Sequence, residues 1–154
     1  VGVMHKEKKL KYALCLIFIF LSGCSTNIVK YSESVPVPEE KLGPDFSKYR
    51  DSSDTTGTVI VVRDSGMLGA AGTSHFFIDG KLVAKIYTKQ SVTLHMEQGE
   101  YLLGVGPGAS FSLEETKKHM EEQALTVKAG KTYYYRISIV LEKGMVLQRT
   151  SLIQ

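Results

Sequence analysis

Ser74-His75-Phe76-Phe77-Ile78-Asp79-Gly80-Lys81-Leu82-Val83-Ala84-Lys85-Ile86-Tyr87 decides the fold of this 154-residue chain. Two short runs rich in aromatic and branched side chains flank Asp79-Gly80, and that dipeptide suits the positive φ angles of the primed turns found in two-residue hairpins. The stretch predicts strand, tight turn, strand. The same grammar recurs outward from it. Val59-Ile60-Val61-Val62 is a continuous branched run fit for a buried strand. Ser91 to Met96 predicts the next strand, Gly99-Glu100 a turn, and Glu100 to Val105 a further strand. Gly104, Gly106, Pro107 and Gly108 then break the pattern, since proline lacks the ladder donor and glycine admits turns. Glu122 to Lys128, a turn at Ala129-Gly130-Lys131, Thr132 to Leu141, a turn at Lys143-Gly144 and Met145 to Thr150 complete the series. With about seven to eight short strands and no repeated crossover helices, the expected fold is all-β, a small antiparallel β-sandwich, with a small barrel as the neighbouring solution.

Period two in Thr132 to Leu141 puts Tyr133, Tyr135, Ile137, Ile139 and Leu141 on one face, expected as core. Tyr134, Arg136, Ser138, Val140 and Glu142 fall on the other, expected to be largely wet. The mixed charges of Leu113 to Met120 suit either a helical turn or a polar strand edge. Gly66, Gly69 and Gly72 recur at spacing three between two expected strands. A phosphate-cradling loop needs a helix start or Gly-Lys-Ser/Thr after its glycines, so this one reads as a long hairpin connection.

Ahead of the strands lies a different kind of segment. Lys6, Lys8, Lys9 and Lys11 form a basic head, Ala13 to Leu21 an apolar core, and Ser22-Gly23 a small-residue end. That core is too short to span a bilayer as a permanent helix. The tetrad Leu21-Ser22-Gly23-Cys24 resembles the lipobox of bacterial lipoproteins. The resemblance implies cleavage before Cys24, diacylation of its thiol and, usually, acylation of the new amino group, with palmitate the typical acyl chain. An uncleaved N-terminal anchor or a buried amphipathic start is the alternative. Ser25 and Thr26 after the cysteine, with no Asp, imply the outer membrane of a Gram-negative envelope, facing the periplasm. The expected organisation is a signal peptide over 1–23, the lipidated cysteine and an extended tether over 24–56, and the β-sandwich over 57–154. The tether is inferred from Pro36, Pro38, Pro44 and charges without periodicity. Phe46 and Tyr49, spaced i, i+3, also suit a short helix packed along the domain.

Charge follows the same division. Four of nineteen basic residues and one of sixteen acidic residues precede Cys24, leaving fifteen of each after it. The +3 of the whole chain thus belongs to the leader, and nucleic acid is not an expected partner. Cys15 and Cys24 are the two cysteines, one in the expected leader and one taken by lipid, so no disulfide or thiolate site is expected.

Gly57-Thr58-Val59-Ile60-Val61-Val62-Arg63, Phe77-Ile78-Asp79-Gly80-Lys81-Leu82-Val83-Ala84, Ser91-Val92-Thr93-Leu94 leading to Gly99-Glu100-Tyr101, and Val127-Lys128-Ala129-Gly130-Lys131-Thr132-Tyr133-Tyr134-Tyr135 occur in that order. The set resembles the bacterial lipoproteins of the DUF2846 group, and its central part is similar to PEGA-type surface β-sandwich domains. Pro107-Gly108 stands where the latter have a Pro-Gly nearer Tyr101, and the Gly66 to Gly72 loop is longer than a minimal hairpin. The resemblance implies a fold, an anchor and an envelope location, and implies no catalytic residue.

Chemistry-bearing residues are sparse. His75, His95 and His119 lack any close ligand spacing, so no metal or other cofactor is expected. Gly108-Ala109-Ser110 lacks the closing glycine of a nucleophile elbow. Asp64 and Asp79 remain as carboxylates able to meet in space. The expected role is therefore non-enzymatic, a membrane-anchored structural or general protein-binding domain. One alternative is a dedicated protein-binding inhibitor, such as an immunity lipoprotein against a secreted toxin. A more remote alternative is an envelope hydrolase. Candidate protein-binding residues are Met67 and Leu68 in the glycine-rich loop, or plain cover for a sheet edge, and Tyr134 and Arg136, types enriched at binding hot spots, or simply a wet strand face.

Overall fold

Residues 26–66, 72–108 and 111–154 are described by the computed structural model. Within them the order is β1 (Val35–Pro36), β2 (Thr56–Arg63), β3 (Ser74–Ile78), β4 (Lys81–Ile86), β5 (Gln90–Glu97), β6 (Gly99–Pro107), α1 (Leu113–Lys118), β7 (Glu121–Val127), β8 (Thr132–Val140) and β9 (Gly144–Arg149). Two sheets result, one ordered β1-β5-β2-β8-β9 and the other β4-β3-β6-β7. Val59, Val61, Leu94, Tyr135 and Ile137 of the first face Phe76, Ile78, Val83, Leu103 and Val105 of the second, and these side chains form the main core. The fold is an all-β sandwich.

The Asp79-Gly80 turn is as the sequence predicts. Ile78 pairs with Lys81, and φ is 50° at Asp79 and 71° at Gly80, positive at both central positions as a type I′ turn requires. The turn also docks on β6: Asp79 N–H donates to Leu102 O and Asp79 Oδ1 accepts from Leu102 N, both at 2.9 Å.

Several expectations are corrected. The pairing of β2 with β8 is parallel, Val59 opposite Tyr133 and Val61 opposite Tyr135, because the chain passes through the other sheet between them. Gly99-Glu100 is no hairpin turn: β5 and β6 lie in different sheets, and Gln98 alone makes the corner. Nor do Gly104 and Gly106 end β6, which runs on to Pro107. Their missing side chains admit α1, whose Thr116 and the following Met120 lie where a Cβ would otherwise stand. A capping box starts that helix, with Ser112 Oγ accepting from Glu115 N–H and the Glu115 carboxylate accepting from Ser112 N–H.

Residues 26–56 depart furthest from an extended tether. Asn27 pairs with Ser65, β1 adds in parallel to β5, and Leu42 bridges to Ala84 on β4. The segment thereby crosses from the edge of one sheet to the edge of the other and covers both, an ordinary way of protecting unpaired strand edges. Val37 enters the main core, and Phe46 and Tyr49, on a 3-10 turn over Pro44–Tyr49, pack against it. That turn matches the packed alternative for Phe46 and Tyr49. At the opposite side Gln123 Nε2 on β7 donates to Leu147 O on β9 at 2.7 Å, tying the two sheets together.

Candidate functional site

The outward face of β8 is covered, contrary to the wet face expected. Ile60, Val62, Val29 and Ile153 form a second buried cluster with Tyr134 packed against it. Both ends of the described chain cross this face and meet each other, Tyr31 N–H donating to Ile153 O at 2.8 Å. Such cover explains why β2 reads as apolar at every position from Val59 to Val62: both of its faces are buried. Ser138 is buried on the same side, while Leu141, expected in the core, lies in the turn after β8 and is 68% exposed.

Arg136 sits in this covered face, ion-paired with Asp64, whose side chain is 1% exposed against 14% for the arginine. Arg136 Nε donates to Asp64 Oδ2 at 2.9 Å, Nη2 makes the second contact, and Val29 N–H donates to Oδ1 at 3.4 Å. Burial nevertheless raises the Asp64 carboxyl above its ordinary value, the guanidinium and the Val29 N–H offsetting this only in part. Beside it, Arg63 donates from Nη1 to Gly72 O and Ile86 O at 2.7 and 2.8 Å. Burial pushes its guanidinium down to about 10, which leaves it charged at neutral pH. The adjacent charges Arg63-Asp64 thus close the end of β2 from inside the protein. Their position directly after the branched run is the one sequence signal for them.

The end of the sandwich reached by β2 and β8 carries a group of exposed apolar side chains. Thr26, Asp64, Thr88 and Ile139 line a crevice of about 10 Å³, room for one water. Ile139 also lines a depression of about 510 Å³ with Pro107, His119, Lys143 and Met145. The His119 ring meets Phe111 edge-on at 6.1 Å. Around it Phe111, Leu113, Val140 and Leu141 are 42%, 44%, 37% and 68% exposed. The sequence pattern puts Val140 on the wet face but Leu141 in the core, since an apolar side chain in a turn resembles one that continues a strand, and it does not single out Phe111 or Leu113.

Of the candidate residues, Cys24, Met67 and Leu68 lie outside the described residues. Tyr134 and Arg136 share a face, but Arg136 is held by Asp64. Tyr134 is half-buried and lines a depression with Thr132, Arg149 and Gln154. Asp64 and Asp79 do not meet: one serves Arg136 near the end of β2 and the other serves Leu102 at the opposite end. The histidines are likewise dispersed. His75 is buried on β3 with its Nδ1 unpartnered, and burial lowers its pKa, with Lys85 adding to the effect. His95 Nδ1 lies 3.4 Å from Thr58 Oγ1, and His119 caps α1. Among the described residues no three His, Cys, Asp or Glu side chains are placed to share a metal ion. Comparison with protein-family models, curated proteins and solved structures found no match.

Proposed function

We propose that this chain is a lipid-anchored envelope protein of the DUF2846 type, held in the outer membrane through acylated Cys24, whose sandwich serves a structural or protein-binding role without catalysis. The single observation that carries it is the run from Lys6 to Cys24, in which basic head, apolar core and Leu-Ser-Gly-Cys tetrad stand in the order that lipoprotein processing requires. The β-sandwich is compatible with the surface domains that the strand motifs resemble. Two or more acyl chains hold a protein at a bilayer stably, where one does so only marginally.

The test is mass spectrometry of the N-terminal peptide after expression of the full chain in a Gram-negative host. The expected peptide begins at Cys24 and carries acyl chains, and Cys24→Ser abolishes both processing and acylation. An unacylated N-terminal peptide that still contains residues before Cys24 would overturn the assignment.

A further inference from the structure

Resting on the lipid-anchor reading, the geometry near Asn27 constrains how the domain sits. Asn27 exchanges two backbone hydrogen bonds with Ser65, at 2.6 and 3.0 Å. Two residues, Ser25 and Thr26, separate it from Cys24, three chain steps with a contour of about 10 Å at most. The chain beyond adds no spacer between bilayer and domain, because residues 27–49 pack along the sandwich, from the Val35–Gln90 pairing past the Leu42–Ala84 bridge. An acylated Cys24 therefore draws the Asn27–Ser65 end of the domain to the bilayer surface. That same end presents Leu141, Leu113, Phe111 and Val140 to the outside. The two features adjoin, since Ile139 lines both the crevice that holds Thr26 and the depression that holds His119, the ring partner of Phe111. Charges on α1 and the turn after β8 are mixed, Lys117, Lys118 and Lys143 against Glu114, Glu115 and Glu142, so attraction to anionic lipid is not the dominant force. Apolar side chains at the tips of turns, beside a polar rim, suit the headgroup layer, where each enters a short way while its backbone stays hydrated.

We propose that this end of the sandwich rests on the bilayer that holds Cys24, with Leu141, Phe111 and Leu113 entering the headgroup layer. The Asp79-Gly80 and Gly130 turns then face away from the membrane and are the surfaces offered to the aqueous compartment.

The test uses the full chain, processed and acylated in its host and reconstituted into phosphatidylethanolamine–phosphatidylglycerol vesicles. Acylation of Cys24 leaves no free thiol after the leader is removed, so Leu141→Cys, Leu113→Cys and, at the far end, Lys131→Cys each carry one bimane label. Lipids with a quencher near the headgroup should quench the labels at 141 and 113 at least about twofold more than the label at 131, and about 0.5 M salt should not abolish the difference. Equal quenching at all three positions overturns the proposal. A label at 141 shielded from both lipid quencher and aqueous iodide also overturns it, in favour of a second copy or another protein covering this end. Protein that neither floats with the vesicles nor carries acyl chains instead removes the anchor, and the proposal with it.

Discussion

Gly80 has φ of +71° and nothing within 4 Å of the position a Cβ would take, so the cost of a side chain there is conformational and not steric. Gly80→Val should destabilise the domain by about 1 kcal/mol or more, and Gly80→Asn by less, because Asn tolerates left-handed backbone. Equilibrium urea unfolding of the two variants checks the order. The Asp64–Arg136 pair behaves differently, because its strength depends on proton binding. Burial raises the folded-state pKa of Asp64 above 3.8, so the folded chain holds the proton more tightly than the unfolded chain. The contribution to stability is therefore complete below the unfolded value and is lost as pH rises through the folded value. Arg136→Met removes the guanidinium that opposes this shift, moves the window toward neutral pH and strands a buried carboxylate above it. The variant should lose about 3 kcal/mol at high pH and recover part of that toward pH 4. A deficit unchanged over that range would show that Asp64 is not the stranded group.

Helix α1 depends on the bare backbone of β6. A Cβ on Gly106 would stand 2.8 Å from Thr116 Cγ2 and 3.1 Å from Thr116 O, whereas one on Gly104 would meet the flexible Met120 thioether at 2.6 Å. Gly106→Val should lift α1 and cost about 1–3 kcal/mol, with faster exchange of the Thr116 amide, which bonds Ser112 O at 2.9 Å. Gly104→Ala should cost less, since a thioether moves more readily than a helix. Equal losses, or undisturbed Thr116 exchange in Gly106→Val, would disprove this account. The same glycines show the limit of sequence reading at this scale. The Asp79-Gly80 hairpin was legible because its cause is local, two positive φ angles. Gly104 and Gly106 read as breakers because a glycine needed for close approach has the same letter as one needed for a turn. The corner at Gln98 was hidden for a related reason: turn residues do not specify which sheet receives the next strand.

At the scale of the whole molecule, β2 to β9 and the inner face of β8 from Tyr133 to Ile137 were legible from periodicity, while the two-residue β1 and the cover over the outer face of β8 were not. Val29 and Ile153 stand in the two-residue apolar runs Ile28-Val29 and Leu152-Ile153, too short to show a period, and only the return of both chain ends brings them to Ile60 and Val62. The candidate surface was obscured in the same way, Arg136 having the pattern of an exposed residue and the contacts of a buried one. The N-terminal strap thus sets the stability of this face and, under the proposed lipid anchor, the distance between Cys24 and the domain. Val29→Asp places a carboxylate beside Asp64 in a site 5% exposed, and its ionised form should expel the strap at a cost of about 2–4 kcal/mol. Release past the Tyr31–Ile153 bond back to Val35, whose N–H donates to Lys89 O at 2.9 Å, would lengthen the reach from Cys24 to about 36 Å. Native-state hydrogen exchange should then show rapid exchange at Asn27 and Val29 while amides of the β2–β8 ladder keep most of their protection. Equal acceleration in that ladder would mean that the strap unfolds together with the sandwich, and that the domain holds its close position beside Cys24 for as long as it is folded.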